Sequence, residues 1–219
     1  MLLCFDYDGV ISDSVHQLLN VAKKTQKKLD MGREPTLEDF KTIEYLTFDH
    51  FARKIEIPED YIKLYSDTFF DILTRSDYSV KPFPKIIDIL KELSKNHRIV
   101  IITANLKSTV FDLLKENNAE KLILHVFDER DPGDKTEKIM KAIEMFNEKK
   151  SNTAMIGDTI SDIRYGKAAG VTTIAVTWGF HSYNLLSKEN PDFIADNPVN
   201  LFRIIDKITE MNLEYKGKK

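Results

Sequence analysis

The chain is predicted to be an α/β protein, a doubly wound parallel sheet with a small α-helical insertion. Three observations lead there. Short apolar, β-branched runs alternate with stretches of helical period from residue 86 onward. The segment from about residue 13 to residue 80 breaks that alternation with helical patterns only. Polar residues with chemical potential stand where the predicted strands end, as ligand-binding groups do in open α/β sheets.

The first run is Leu2-Leu3-Cys4-Phe5, one buried strand long, and it ends in Asp6-Tyr7-Asp8-Gly9. Alternation along an extended chain puts Asp6 and Asp8 on one side and Tyr7 on the other. Adjacent carboxylates repel, so the pair needs a cation, a shared proton or a reaction between them. Helical patterns follow at Val15, Leu18, Leu19 and Ala22, over residues 40–51, and at Tyr61, Leu64, Tyr65, Thr68 and Ile72. That stretch is too long for a crossover and reads as an inserted lid bounded near residues 79–84 by prolines. Ordinary helices packed on one sheet face are the alternative. The expected division is therefore a core of residues 1–12 and 81–219 and a helical cap of residues 13–80.

Beyond the insertion, Pro84 suits a helix start, with Ile86, Leu90 and Leu93 on one face. Further strands are expected at residues 99–103, 122–127, 153–156 and 172–177. Helices carry Val110, Leu113 and Leu114, then Ile139, Ala142, Ile143 and Phe146. Asn197-Pro198 reads as an N-cap and first turn, opening a helix whose apolar face holds Leu201, Ile204, Ile205, Ile208 and Met211.

Composition narrows the function. The 219 residues are 42% hydrophobic and 31% charged, an ordinary globular balance. A net charge of −3 offers no basic field for nucleic acid or an anionic membrane. Lys216, Lys218 and Lys219 read as a solvated tail. A single cysteine, Cys4, excludes an intrachain disulfide or a cysteine-rich zinc site and is expected to be buried. The opening apolar run is too short for a signal peptide and no run reaches membrane-span length, so a cytoplasmic protein is expected. The five histidines form no close-spaced cluster, and neither phosphate-binding glycine motif occurs.

Four strand-end positions share one theme: Asp6 with Asp8, Thr103 with Ala104 and Asn105, Lys135 ahead of a helix, and Asp158 with Asp162. Singly each has an ordinary reading, Asp158 as a helix N-cap and Lys135 as a loop charge. Together, in this order, the chain resembles the haloacid dehalogenase-like superfamily. Its DxDx[TV] motif is matched by Asp6-Tyr7-Asp8-Gly9-Val10, its strand-end Thr or Ser by Thr103, its lysine by Lys135, and GDxxxD by Gly157, Asp158 and Asp162. The insertion sits where that family's C1-type cap sits. Residues 176–180 and 191–196 look like the closing segments of its phosphoglycolate phosphatase-like branch. Val10 replaces a frequent threonine, and Thr136 follows Lys135 where proline is common; Lys138 is a nearby rival.

The resemblance implies a Rossmannoid core and Mg²⁺-dependent hydrolysis of a small phosphomonoester, phosphoglycolate or similar. Asp6 would be the nucleophile and Asp8 the general acid and base. Thr103, Ala104, Asn105 and Lys135 would hold phosphate. It also implies that Mg²⁺ is held by the Asp6 carboxylate, the Asp8 carbonyl and the Asp158 carboxylate, with Asp162 supporting Lys135. Asp8 argues against carbon–halogen hydrolysis, whose enzymes lack a carboxylic acid there. A β-phosphoglucomutase-like phosphotransferase, a pyrophosphatase and a non-catalytic phospho-ligand module remain alternatives. Arg33, Lys41, Thr47, His50 and Arg53 are candidate substrate contacts in the insertion. The expected partner is a small phosphorylated metabolite, the expected assembly a monomer or homodimer.

Overall fold

The computed structural model describes residues 1–44, 48–75 and 80–217. Six parallel strands form one sheet: β1 (Leu2–Phe5), β2 (Arg98–Ile102), β3 (His125–Phe127), β4 (Thr153–Gly157), β5 (Thr172–Val176) and β6 (Phe193–Ala195). Their order is β3-β2-β1-β4-β5-β6, so the winding reverses between β1 and β4. Leu3 pairs with Ile99 on one side and Ala154 on the other. Asp6 extends the ladder by one bond, its N–H donating to the Ile156 carbonyl at 2.9 Å.

Alternation along each strand divides the core into two layers. Leu3, Phe5, Ile99, Ile101 and Ile156 face the layer beneath α5 (Ile86–Ser94), α6 (Lys107–Glu116) and α10 (Pro198–Gly217). Leu2, Cys4, Val100, Ile102 and Met155 face that beneath α7 (Lys135–Met145) and α8 (Ile160–Ala169). A strand buried on both faces reads as a continuous apolar run, and all four residues of β1 are fully buried. Burial pushes the Cys4 thiol up to about 12, which makes it inert. The last crossover is α9 (Tyr183–Lys188).

Between β1 and β2 lies the helical insert: α1 (Ser14–Leu29), α2 (Leu37–Thr42), α3 (Phe48–Lys54) and α4 (Ile62–Arg75). It has its own apolar cluster, including Val21, Phe40, Phe51, Ile55, Tyr65 and Phe69. The chain enters and leaves it side by side. Asp13 N–H donates to the Lys81 carbonyl at 2.8 Å, and Phe83 N–H to the Ile11 carbonyl at 2.9 Å.

Several expectations are corrected. Phe193–Ala195 forms a sixth strand, too short to announce itself by pattern. The predicted strand at 122–127 shrinks to His125–Phe127, because Leu122 closes a short 3₁₀ turn. Pro84 precedes α5 by two residues, and Lys85 in left-handed conformation (φ 69°) intervenes. Met211, Tyr61 and Leu64 sit at apolar helix positions yet are exposed, being turned outward from their clusters. Asn197 does cap α10, its side chain accepting from Asn200 N–H at 2.9 Å. Ser79, Lys218 and Lys219 lie outside the described residues.

Candidate active site

Because the sheet is parallel, every strand delivers its C-terminal end to one edge, and the polar residues gather there. Asp6 follows β1, Thr103 follows β2, and Asp158 follows β4. Lys135 opens α7, whose N-cap Asp134 and Glu137 form a capping box.

Lys135 Nζ lies 2.8 Å from Asp6 Oδ2 and 2.6 Å from Asp162 Oδ1, a lysine clamped between two carboxylates. Asp162 is fixed in turn: its Oδ2 accepts from the Thr159 N–H at 3.0 Å and the Thr159 hydroxyl at 2.6 Å. Asp6 Oδ1 accepts from Tyr7 N–H at 2.7 Å. Asp158 Oδ2 accepts from Phe180 N–H at 2.6 Å, while its Oδ1 is buried without a partner. Carboxylate oxygens of Asp6, Asp158 and Asp162 all lie within 4.8 Å of one another.

Three buried carboxylates around one ammonium leave an excess of negative charge. Burial, with added repulsion from Asp162 and Asp8, raises the Asp6 carboxyl to about 7 despite Lys135. Burial and the neighbouring Asp162 and Asp6 push Asp158 well above the usual carboxylate range. Burial disfavours the charge on Lys135, but Asp162 and Asp6 outweigh it and hold the ammonium protonated. A divalent cation fits this donor set: hard oxygens, surplus charge and one orphaned carboxylate oxygen. Asp162, with both oxygens engaged, is already committed to Lys135 and Thr159.

A second group adjoins the first. Asn105 Nδ2 donates to Asp8 Oδ2 at 3.2 Å, and Asn105 N–H donates to Thr103 Oγ1 at 2.9 Å. Asp8 is only partly exposed, and burial raises its carboxyl, opposed by the Ser14 hydroxyl and Asn105 amide. Ala104 is exposed beside them. All eight core residues expected from sequence therefore lie at this edge. The backbone bends at Tyr7 rather than continuing extended, so strict alternation does not describe Asp6 and Asp8. Tyr7 is buried, its hydroxyl donating to the Thr109 carbonyl at 3.4 Å.

Sequence reasoning missed the support that Phe180 and Gly179 give Asp158. Phe180 N–H, which holds Asp158, leaves no residue signature. Gly9 (φ 77°) and Gly179 admit the close approach, since a Cβ on either would run into the Asp158 carboxylate. Lys138 is not at the site; it is buried and donates to the Asp128 carbonyl at 2.7 Å. Of the insert's candidate contacts, Lys41 is near enough to the site to feel the Asp158 charge, whereas Arg33 and Arg53 are engaged elsewhere. Arg33 pairs with Asp39, Arg53 with Glu59, and Lys41 Nζ donates to the Thr177 carbonyl at 3.2 Å. Neither these nor His50 line the cleft beside Asp8, and Thr47 lies outside the described residues.

Sheet order, strand-end acids and the clamped lysine are those of a Rossmann-like α/β fold with its polar site at the point where the winding reverses. Residues 3–176 match the haloacid dehalogenase-like hydrolase family, and the chain belongs to it. A phosphoglycolate phosphatase of Aquifex aeolicus is 27% identical over 221 residues, covering 94% of this chain and 96% of its own. The pyrophosphatase PpaX of Bacillus pumilus is 25% identical over 206 residues, covering 92% and 94%. The solved structure of a haloacid dehalogenase-like family hydrolase from Streptococcus pneumoniae superposes with a TM-score of 0.77 at 24% identity. It covers 93% of this chain and 97% of that one.

Proposed function

We propose that the protein is a Mg²⁺-dependent phosphatase that hydrolyses a small phosphomonoester through an aspartyl-phosphate on Asp6. The observation that carries this reading is the clamp of Lys135 between Asp6 and Asp162 beside the orphaned oxygen of Asp158. Asp6, Asp158 and the Asp8 main chain would hold the metal, which supplies counter-charge for phosphate in a site rich in carboxylates. Residues 13–80 act as the cap over a core of residues 1–12 and 81–219, and the paired chains at 11–13 and 81–83 are its stem.

Asp6 attacks phosphorus and the bond to the leaving oxygen breaks as Asp8 gives that oxygen its proton. Water then attacks the acyl phosphate, Asp8 takes the water proton, and inorganic phosphate leaves with the Asp6 carboxylate restored. An ordinary aspartate is protonated only about one part in a thousand at neutral pH, a deficit of roughly 4 kcal/mol. Burial of Asp8 reduces that deficit by raising its pKa. Lys135 neutralises the transferring group, and the Thr103 hydroxyl, which accepts from Asn105 N–H, keeps its own hydrogen for a phosphate oxygen.

Phosphoglycolate and pyrophosphate, which the names of the Aquifex and PpaX relatives point to, are the two reference phosphates to assay beside other small phosphomonoesters. Hydrolysis of p-nitrophenyl phosphate with Mg²⁺ tests the chemistry. Asp6→Asn should abolish it; turnover at the wild-type rate by that variant would sink the mechanism.

A further inference from the structure

Phosphoester cleavage between Asp6 and Asp8 leaves open which alcohol departs. The proton donor shows where the alcohol lies. Asp8 lines a cleft of about 810 Å³ between insert and core, whereas Asp6, Lys135 and Asp158 do not. The group that receives the Asp8 proton is therefore on the cleft side. That volume suits a small organic ligand.

Its walls are of two kinds. The insert contributes Leu18, Phe48, Phe70 and Leu73. The Phe48 and Phe70 rings lie 4.5 Å apart, and Phe70 is 45% exposed. The core contributes Asp112 and Glu116 from α6 and Glu129 after β3, all exposed. None of these three forms an ion pair among the described residues. The buried side chains of Ser12 and Ser14 also line the cleft, the Ser14 hydroxyl beside the Asp8 carboxyl. No lysine, arginine or histidine lines it among the described residues. Residues 45–47 and 76–79 contain no basic side chain either.

An anionic leaving group, a carboxylate or a second phosphate, would meet the carboxylates of Asp112, Glu116 and Glu129, with no basic side chain among the described residues lining the cleft to offset them. A cationic one gains from the same charges and from the aromatic faces, which attract ammonium groups. Leu18 and Leu73 cover a short hydrocarbon body. We propose, resting on the phosphatase reading, that the substrate is the phosphomonoester of an amino or quaternary-ammonium alcohol with a short apolar body. Phosphoglycolate and pyrophosphate are the wrong charge for this cleft.

The test compares three phosphates of equal chain length: 4-aminobutyl phosphate, butyl phosphate and 4-phosphooxybutanoate. The expected order of kcat/KM is amine, alkyl, carboxylate, with the amine at least about tenfold above the carboxylate and the gap narrowing as salt is raised. Substituting Asp112→Asn, Glu116→Gln and Glu129→Gln together should bring the amine-to-carboxylate ratio toward one. Preference for the carboxylate or for pyrophosphate, or a ratio unmoved in the triple variant, overturns the proposal. If nothing is hydrolysed, p-nitrophenyl phosphate included, it is the phosphatase reading that fails. The rise in Tm produced by the same three phosphates with Mg²⁺ then decides the substrate class, and equal or carboxylate-first shifts overturn it.

Discussion

Asp158 has two oxygens with different fates, and its behaviour on mutation follows from that. One accepts Phe180 N–H; the other is buried without a partner. In metal-free protein its folded-state pKa lies well above the unfolded value, so its ionised form opposes folding as pH rises. Asp158→Asn should therefore be at least as stable as wild type in chelator, while losing the stabilisation Mg²⁺ confers. On the proposed Mg²⁺ site, wild type should gain about 2.7 kcal/mol at a hundredfold excess over Kd, several degrees in Tm. Thermal melts of both proteins with and without Mg²⁺ check both halves. Lys135→Met has the opposite effect. It strands Asp6 and Asp162 without their cation, at a cost of about 3–5 kcal/mol in urea denaturation and about 10²-fold or more in kcat. These side chains were legible because acids and a lysine at strand ends have few structural uses in such numbers. Phe180 was not, because its contribution is a peptide N–H that any residue supplies.

At the scale of elements, α2 is held by a side chain with several duties. Asp39 accepts from Arg33 at 2.9 Å and from the Thr36 N–H and hydroxyl, both at 2.8 Å. Burial alone would raise its carboxyl, but Arg33 and Thr36 win and hold it at about 2. A depressed folded pKa contributes stability that is whole above the unfolded value near 4 and is lost as pH falls through about 2. Asp39→Ala should cost about 2 kcal/mol near neutral pH and little at pH 2, read from denaturant midpoints. Long helices such as α10 were legible from period and cap. β6 was not, since three residues carry no period, and outward-facing Met211 shows that an apolar position on a helix need not be a buried one.

For the whole molecule, insert and core are joined by more than their stem. Ser182 N–H donates to the Lys41 carbonyl at 3.1 Å, and the Phe40 and Phe180 rings meet edge to face at 6.0 Å. Phe180 thus packs in the insert's apolar cluster while its N–H holds Asp158. Insert helices were readable one by one, but not which of their side chains meet the cleft, because packing against the core decides that. Global pH response has an identifiable contributor in His97, whose Nδ1 lies 3.3 Å from the N-terminal amine. Burial, aided by that amine, lowers it to about 4. The unfolded chain takes up this proton first, so stability falls as pH drops from about 6.5 to 4, by up to about 1.4 kcal/mol per unit. His97→Gln should flatten that slope in urea midpoints measured across the window.

The pairing of Leu2 with Thr153 also sets a timetable for synthesis. Asp6 is made more than a hundred residues before Lys135, Asp158 and Phe180. Until then, the strand that bears Asp6 has no lysine to clamp it and no neighbour on its β4 side. A chain ending before residue 135 therefore lacks both Lys135 and Asp158.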